Sequence, residues 1–365
     1  MKVLCDREKL REALSVVTGV IPLKSTRPAI ENVCLVATDE ALELVGTDLE
    51  VAVRYRIDDV KVEEAGTTLV PARISSDFVR DLAGETVTLE TKGDKFLIKT
   101  GTDRCELTTL DPDEFPVVAR FEADDSLAVQ AGTFTKLVNR TAFAAAREPG
   151  RYAMHGLMMQ VEEGVLRMVA TDGRRLAVAT WPIESNGAEK QAIVPTKGMQ
   201  LFSKVISDPL EEVKIHFGEG QIGLKTKDAE VFARLIDGEY PRYSAVIPAT
   251  VENFVEADAT MLNQKLRLVS AVTTADTRAV RLSFSKGKMK VFGRSSGFGE
   301  ATAQMEVEFK GTDTEIAFNP DYLMDGLKNC ESDTVRLEFN DKTSPGKFTL
   351  GEEYMYIVMP ITVDT

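Results

Sequence analysis

The chain has 365 residues, 43% of them hydrophobic and without a low-complexity stretch, a composition that fits two or three folded domains. No apolar run approaches about 18 residues, so neither a membrane span nor a signal peptide is expected, and four cysteines without CxxC spacing read as reduced packing residues of a cytoplasmic protein. Two histidines argue against a histidine-rich metal site; 44 basic against 58 acidic side chains give a net charge of −14, which argues against nucleic acid unless cations gather on one surface.

After a short opening strand, Leu10, Leu14 and Val17 recur at helical spacing, with Arg7 and Arg11 on another face. VGTDLE follows at 45–50. LVPAR at 69–73 then predicts a second helix opened by its proline, with Phe78, Val79 and Leu82 inside. Residues 85–101 alternate as a hairpin that points Val87, Leu89, Phe96 and Ile98 one way, and DPDEFP closes the region at 111–116.

Beyond a polar linker at 119–126 the same order returns. Phe134, Leu137, Val138, Thr141 and Ala145 form an apolar stripe, with Lys136, Arg140 and Arg147 sharing one side. VATDGR stands at 169–174, IVPTK at 193–197 and DGEYP at 237–241. Phe202, Val205 and Ile206 face inward from the second helix, and Lys197 and Lys204 lie opposite. A second acidic linker is expected over 248–258. Leu262, Leu266 and Val269 then open a third round, with GRSS at 293–296, FNPDYL at 318–323 and strands over 287–294 and 354–360. Its last helix carries Asp321 and Asp325 at i and i+4, so that face is not basic.

Thr47 and Thr171 are 124 positions apart, as are Pro71 and Pro195, and Pro195 and Pro320 are 125 apart. Equal order at equal spacing predicts three like domains, over 1–121, 126–249 and 253–365. Each is an α+β unit of two helices laid on antiparallel sheets.

Two enzyme-like patterns lack their settings. GRSSG at 293–297 fits GxSxG, but an alternating segment follows where a helix is needed and no histidine lies beyond His216. GEGQIG at 218–223 fits GxGxxG, yet it joins two strand-like runs and reads as a hairpin turn. A stripe of cations is commonly only a solvated surface. Here cations recur on equivalent helices, and a loop cluster of Lys24 and Arg27, matched by Arg147, Arg151 and Tyr152, adds an aromatic ring able to stack on nucleic acid.

TDLE at 47–50, VATDGRRLA at 169–177, VPTKG at 194–198, DGEYPRY at 237–243, RAVRL at 278–282 and YIVMPI at 356–361 resemble the bacterial sliding-clamp family, the beta subunit of DNA polymerase III, from the first residue nearly to the last. The resemblance implies the DNA-clamp fold in triplicate and a head-to-tail homodimer closed into a ring, with helices around duplex DNA bound without regard to sequence. It implies a processivity factor without catalysis, cofactor or membrane association, which tethers the DNA polymerase III alpha subunit, the clamp-loader ATPase complex and other polymerases and repair proteins. The DNA-facing cations expected are Lys24, Arg27, Lys136, Arg140, Arg147, Arg151, Lys197 and Lys204, together with Tyr152. The dimer contact would join Arg104, Cys105 and Leu107 to Val272 and Thr273 of a second copy.

A partner-peptide pocket would be lined by Met154, Thr171, Gly173, Arg174, Arg175, Leu176, Pro241, Val246, Val358, Met359, Pro360 and Ile361. From sequence alone the same residues fit an ordinary core. Two rim positions depart from the family: Ala245 stands where arginine is frequent, and Arg174 where histidine is common.

Overall fold

The computed structural model describes residues 1–121, 126–148, 152–184, 189–274 and 278–362. The chain forms two compact units. The first comprises 1–134 with 197–235, and the second 135–196 with 236–365. Every strand pairing among the described residues is antiparallel, as the alternation predicted.

The first unit holds a five-stranded sheet in the order Val60–Glu64, Lys2–Asp6, Thr86–Lys92, Lys95–Thr100 and Asp103–Thr108. Its eight-stranded sheet runs Ser126–Gln130, Glu212–Phe217, Gln221–Lys225, Ala229–Arg234, Val51–Ile57, Leu42–Thr47, Asn32–Ala37 and Gly66–Pro71. The second unit holds a nine-stranded sheet in the order Lys190–Pro195, Gly156–Glu162, Val165–Thr171, Arg175–Pro182, Tyr354–Val358, Gly346–Thr349, Thr334–Phe339, Asn253–Asp258 and Glu308–Lys310. A four-stranded sheet, Gly299–Glu306, Lys288–Ser295, Val280–Ser285 and Thr314–Phe318, completes it. Hydrogen-bonded sheet therefore passes through both repeat junctions, with Val51 opposite Ala233 and Arg175 opposite Val358. That continuity is why the compact units cut across the repeats.

The helices are α1 (Arg7–Thr18), α2 (Ala72–Asp81), α3 (Ala131–Thr141), α4 (Thr196–Lys204), α5 (Ala259–Ser270) and α6 (Pro320–Leu327). Asp6 caps α1 by accepting from the Lys9 N–H at 2.9 Å, and Asp258 caps α5 through the Met261 N–H at 2.6 Å. Leu10, Leu14 and Val17 are buried as their spacing required, each burial contributing about 2 kcal/mol. In the first unit α1 packs on α2, and the Phe134 and Phe202 rings meet with centroids 6.2 Å apart. Within the second unit α5 packs on α6.

Three expectations change. Of the three repeated prolines Pro320 alone opens its helix; Pro71 and Pro195 end strands, and α2 and α4 begin one residue later. The helix carrying Phe134 stops at Thr141, so Arg147 lies beyond it. Within the expected linker 248–258, Asn253–Asp258 is a strand paired on both sides, with Val255 and Ala257 buried. Its acidic residues misled because Glu256 points away from the core and Asp258 serves as a cap.

Candidate functional site

The repeated Thr-Asp pairs are turn-building devices. In the first repeat the Thr47 hydroxyl donates to the Val51 carbonyl at 2.8 Å and accepts the Leu49 N–H at 2.9 Å, while Asp48 accepts the N–H groups of Glu50 and Val51 at 3.0 and 2.7 Å. The second repeat copies this bond for bond. Thr171 donates to the Arg175 carbonyl at 2.7 Å and accepts from Gly173 at 3.0 Å, and Asp172 accepts from Arg174 and Arg175 at 2.9 and 3.0 Å. Side-chain oxygens at two adjacent positions satisfy N–H groups that the strands release at the turn. The third-repeat counterpart is a hairpin in which buried Ser295 accepts the Phe298 N–H at 3.2 Å. Its hydroxyl caps a turn and has no strand-turn-helix setting for a nucleophile. GEGQIG likewise joins two paired strands.

The second Thr-Asp turn lies beside the last strand. The Met359 N–H donates to the Arg174 carbonyl at 2.9 Å, and the Ile361 N–H to the Ala317 carbonyl at 2.8 Å, so the terminal segment is held on both sides. Leu176 pairs with Ile357 and joins an apolar cluster with Met158, Val178 and Tyr240, against which Tyr243 and Ile247 are half-buried. Burial pushes the Tyr240 hydroxyl above the usual tyrosine range, and it donates to the Val169 carbonyl at 3.3 Å.

The predicted pocket residues thus divide by depth. Thr171, Arg175, Leu176 and Val358 are buried; Met154, Pro241, Pro360 and Ile361 are half-buried; Gly173, Arg174, Val246 and Met359 are exposed. Met359 keeps 37% of its surface in solvent although Val358, the end of the strand before it, is buried.

Arg175 is held by a network of internal partners. Only 8% exposed, its guanidinium donates to Asp172 at 3.0 Å, Asp325 at 2.6 Å and the Phe143 carbonyl at 2.8 Å, and lies 4.5 Å from the Tyr322 ring centroid. With its donors engaged inside the protein, Arg175 braces the turn from within while its side chain also borders an adjoining cavity. The sequence did not link Tyr322 and Asp325 to Arg175, because their partner stands far away in the chain. The cavity, of about 200 Å³, lies at this cluster, bounded by Arg147, Asp172, Arg174, Arg175 and Tyr322.

The expected DNA-facing set also divides. Arg140 is 3% exposed, 3.1 Å from Glu331 and 3.3 Å from the Glu352 carbonyl, with the Tyr354 ring centroid at 5.1 Å. A buried, neutralised guanidinium cannot reach a phosphate, so Arg140 leaves the set. Lys136 pairs with the same Glu331 and lies against Trp181, so its charge is answered within the protein. Lys24, Arg27, Arg147, Lys197 and Lys204 are exposed. Lys197 pairs with Asp48, and Lys204 reaches the Ser15 carbonyl at 3.0 Å. Arg151 and the Tyr152 side chain lie outside the described residues.

Arg104, Cys105 and Leu107 belong to Asp103–Thr108, the edge strand of the five-stranded sheet, where one side of the backbone has no strand neighbour among the described residues. Arg104 is exposed, Cys105 half-buried and Leu107 buried against its own sheet. Val272 and Thr273 follow α5, half-buried, with Thr273 bonded to the Ser270 carbonyl at 2.8 Å. Among the described residues no acidic, histidine or cysteine cluster is placed to hold a metal, and no helix is long and apolar enough to cross a membrane.

Sequence-family profiles described as the N-terminal, central and C-terminal domains of the DNA polymerase III beta subunit match residues 1–119, 128–242 and 244–361. The chain is 30% identical to the beta sliding clamp of Salmonella typhimurium over 364 residues, covering 99% of this chain and 100% of that one. It is 31% identical to that of Pseudomonas putida over 361 residues, 98% of each. The crystal structure of the DNA polymerase III subunit beta from Pseudomonas aeruginosa superposes with a TM-score of 0.94 at 30% identity, covering 100% of both chains. The Bacillus subtilis sliding clamp, at 24% identity and a TM-score of 0.96 over 100% of both, shares the fold. Three clamp domains in succession, matched over the whole length, place this chain in the family of bacterial DNA polymerase III beta subunits, the sliding clamps.

Proposed function

We propose that two copies of this chain join head to tail into a ring that encircles duplex DNA, slides along it and tethers the replicative polymerase without catalysis of its own. The carrying observation is the succession of three clamp domains, matched over residues 1–119, 128–242 and 244–361. The domains proposed are 1–121, 126–249 and 253–365. The edge strand bearing Arg104, Cys105 and Leu107 supplies one face of each contact, and Val272 and Thr273 supply the other. Two like contacts related by a half-turn close the ring and leave no free edge.

A ring held by topology needs only weak attraction to phosphate, whereas many tight contacts would make binding steeply salt-dependent and movement slow. Exposed Lys24, Arg27, Arg147, Lys197 and Lys204 on a chain of net charge −14 suit that requirement. Arg151 and Tyr152 are proposed to act with them.

The pocket takes an extended peptide of the polymerase alpha subunit, the clamp loader or another polymerase or repair protein. A relative from Pseudomonas aeruginosa has been solved bound to griselimycin. The exposed Met359, Val246 and Gly173, over a floor of Leu176 and Val358, offer apolar surface with a flexible thioether that adapts to different anchors. Sedimentation tests the assembly: the account predicts a particle of twice the 40.1 kDa chain mass that persists on dilution, and a persistent monomer contradicts it.

A further inference from the structure

The first unit contains an internal copy of the candidate peptide site. Val51 stands opposite Ala233 as Arg175 stands opposite Val358. The Arg234 N–H donates to the Glu50 carbonyl at 2.8 Å, as that of Met359 donates to Arg174. Pro116 follows Phe115 as Pro241 follows Tyr240, and both aromatic rings pack onto neighbouring apolar clusters. The copied place is a groove of about 300 Å³ bounded by Leu49, Glu50, Val117, Glu219, Phe232 and Arg234.

Its chemistry differs in a consistent direction. Leu49 occupies the place of Gly173, with φ at 77° where the glycine has 85°. Leucine is strained in this left-handed region, and the Thr47 and Asp48 bonds hold it there with 46% of its surface exposed. Val117, across the groove, is 100% exposed. Core packing accounts for neither side chain. Arg234 takes the position of Met359 and Glu50 that of Arg174, and exposed Glu219 adds a second carboxylate at the mouth, leaving the rim net acidic.

From this we infer that the groove is a second docking site, for an extended peptide of a partner protein carrying an aliphatic anchor beside a lysine or arginine. Leu49, Val117 and Phe232 receive the anchor, and Glu50 and Glu219 receive the cation. The inference rests on the peptide-docking reading of the other unit for its geometry but assigns a different ligand chemistry.

The test is fluorescence anisotropy of the full-length protein with a labelled extended octapeptide bearing one leucine between two lysines and no glutamine. Leu49→Gly relieves backbone strain while removing the anchor contact, so a folding failure does not obscure the result. Leu49→Gly and Glu219→Lys should each weaken the probe about tenfold or more, and Met359→Asp should leave it unchanged. Absence of binding to the unaltered protein, or a loss that follows Met359→Asp instead of the groove variants, overturns the proposal. Either result leaves recognition of glutamine-bearing peptides at Met359 to be judged separately.

Discussion

The Arg175 guanidinium lies 2.6 Å from the Asp325 carboxylate, joining the Thr-Asp turn of the second repeat to α6 of the third. This pair gives the end of the strand Arg175–Pro182 a fixed position, and the main chain beside it carries Met359. Replacing Arg175 by alanine removes the guanidinium bonds to Asp172, Asp325 and the Phe143 carbonyl. Thermal unfolding should show a loss of about 2–4 kcal/mol. Lysine should rescue only part of it, since a single ammonium cannot reproduce the planar fork. An unchanged melting temperature would remove Arg175 from its supporting role.

Met359 is the test of the pocket itself. Met359→Asp should weaken a glutamine-bearing clamp-binding peptide by about 2 kcal/mol or more in a titration, with sedimentation of the protein unaltered. Equal affinity for variant and parent would take Met359 out of the site.

For DNA, burial separates cations of like sequence appearance. Charge reversal at exposed Lys24 and Arg27 together should flatten the salt dependence of direct DNA binding by about one unit of slope per lost phosphate contact. Arg140→Ala should leave the slope alone and instead lower stability, because Glu331 and the Glu352 carbonyl lose a buried partner. A reduced slope with Arg140→Ala contradicts this division.

Buried Glu43 accepts from Arg54 at 2.9 Å and from Arg120 at 3.2 Å. Burial acts to raise its pKa, but the hydrogen bonds and charges of Arg120 and Arg54 outweigh it and hold the carboxyl below its ordinary range. A depressed carboxylate stabilises fully above its unfolded value, near about 4.3, and that contribution disappears as pH falls through the folded value. Melting temperatures measured from pH 7 downward should therefore drop more steeply for the parent than for Glu43→Gln, which starts lower at neutral pH. Parallel curves would mean that Glu43 is not part of the acid response.

Much of this architecture was legible because turn chemistry leaves the same letters wherever it recurs. Thr47 with Asp48 and Thr171 with Asp172 make the same four bonds, so their residue types had to repeat. Hairpin alternation likewise pointed Val87, Leu89, Phe96 and Ile98 one way, and all four are buried. What stayed hidden depends on partners distant in sequence. Helical spacing grouped Lys136 with Arg140, yet Glu331 claims both, and nothing near Arg140 in the chain announces it. The network that holds Arg175 stayed hidden for the same reason, since the Asp325 it pairs with belongs to another repeat. The quasi-equivalence of Arg234 and Met359 emerged only from strand register.

Encirclement is the central claim, and its most direct measurement is retention on DNA of two topologies. Protein loaded by a clamp loader onto nicked circular duplex should remain through a wash at salt that strips ordinary phosphate-bound proteins, and should depart once a single cut linearises the circle. Equal loss from circle and line, or equal retention on both, would contradict a closed ring.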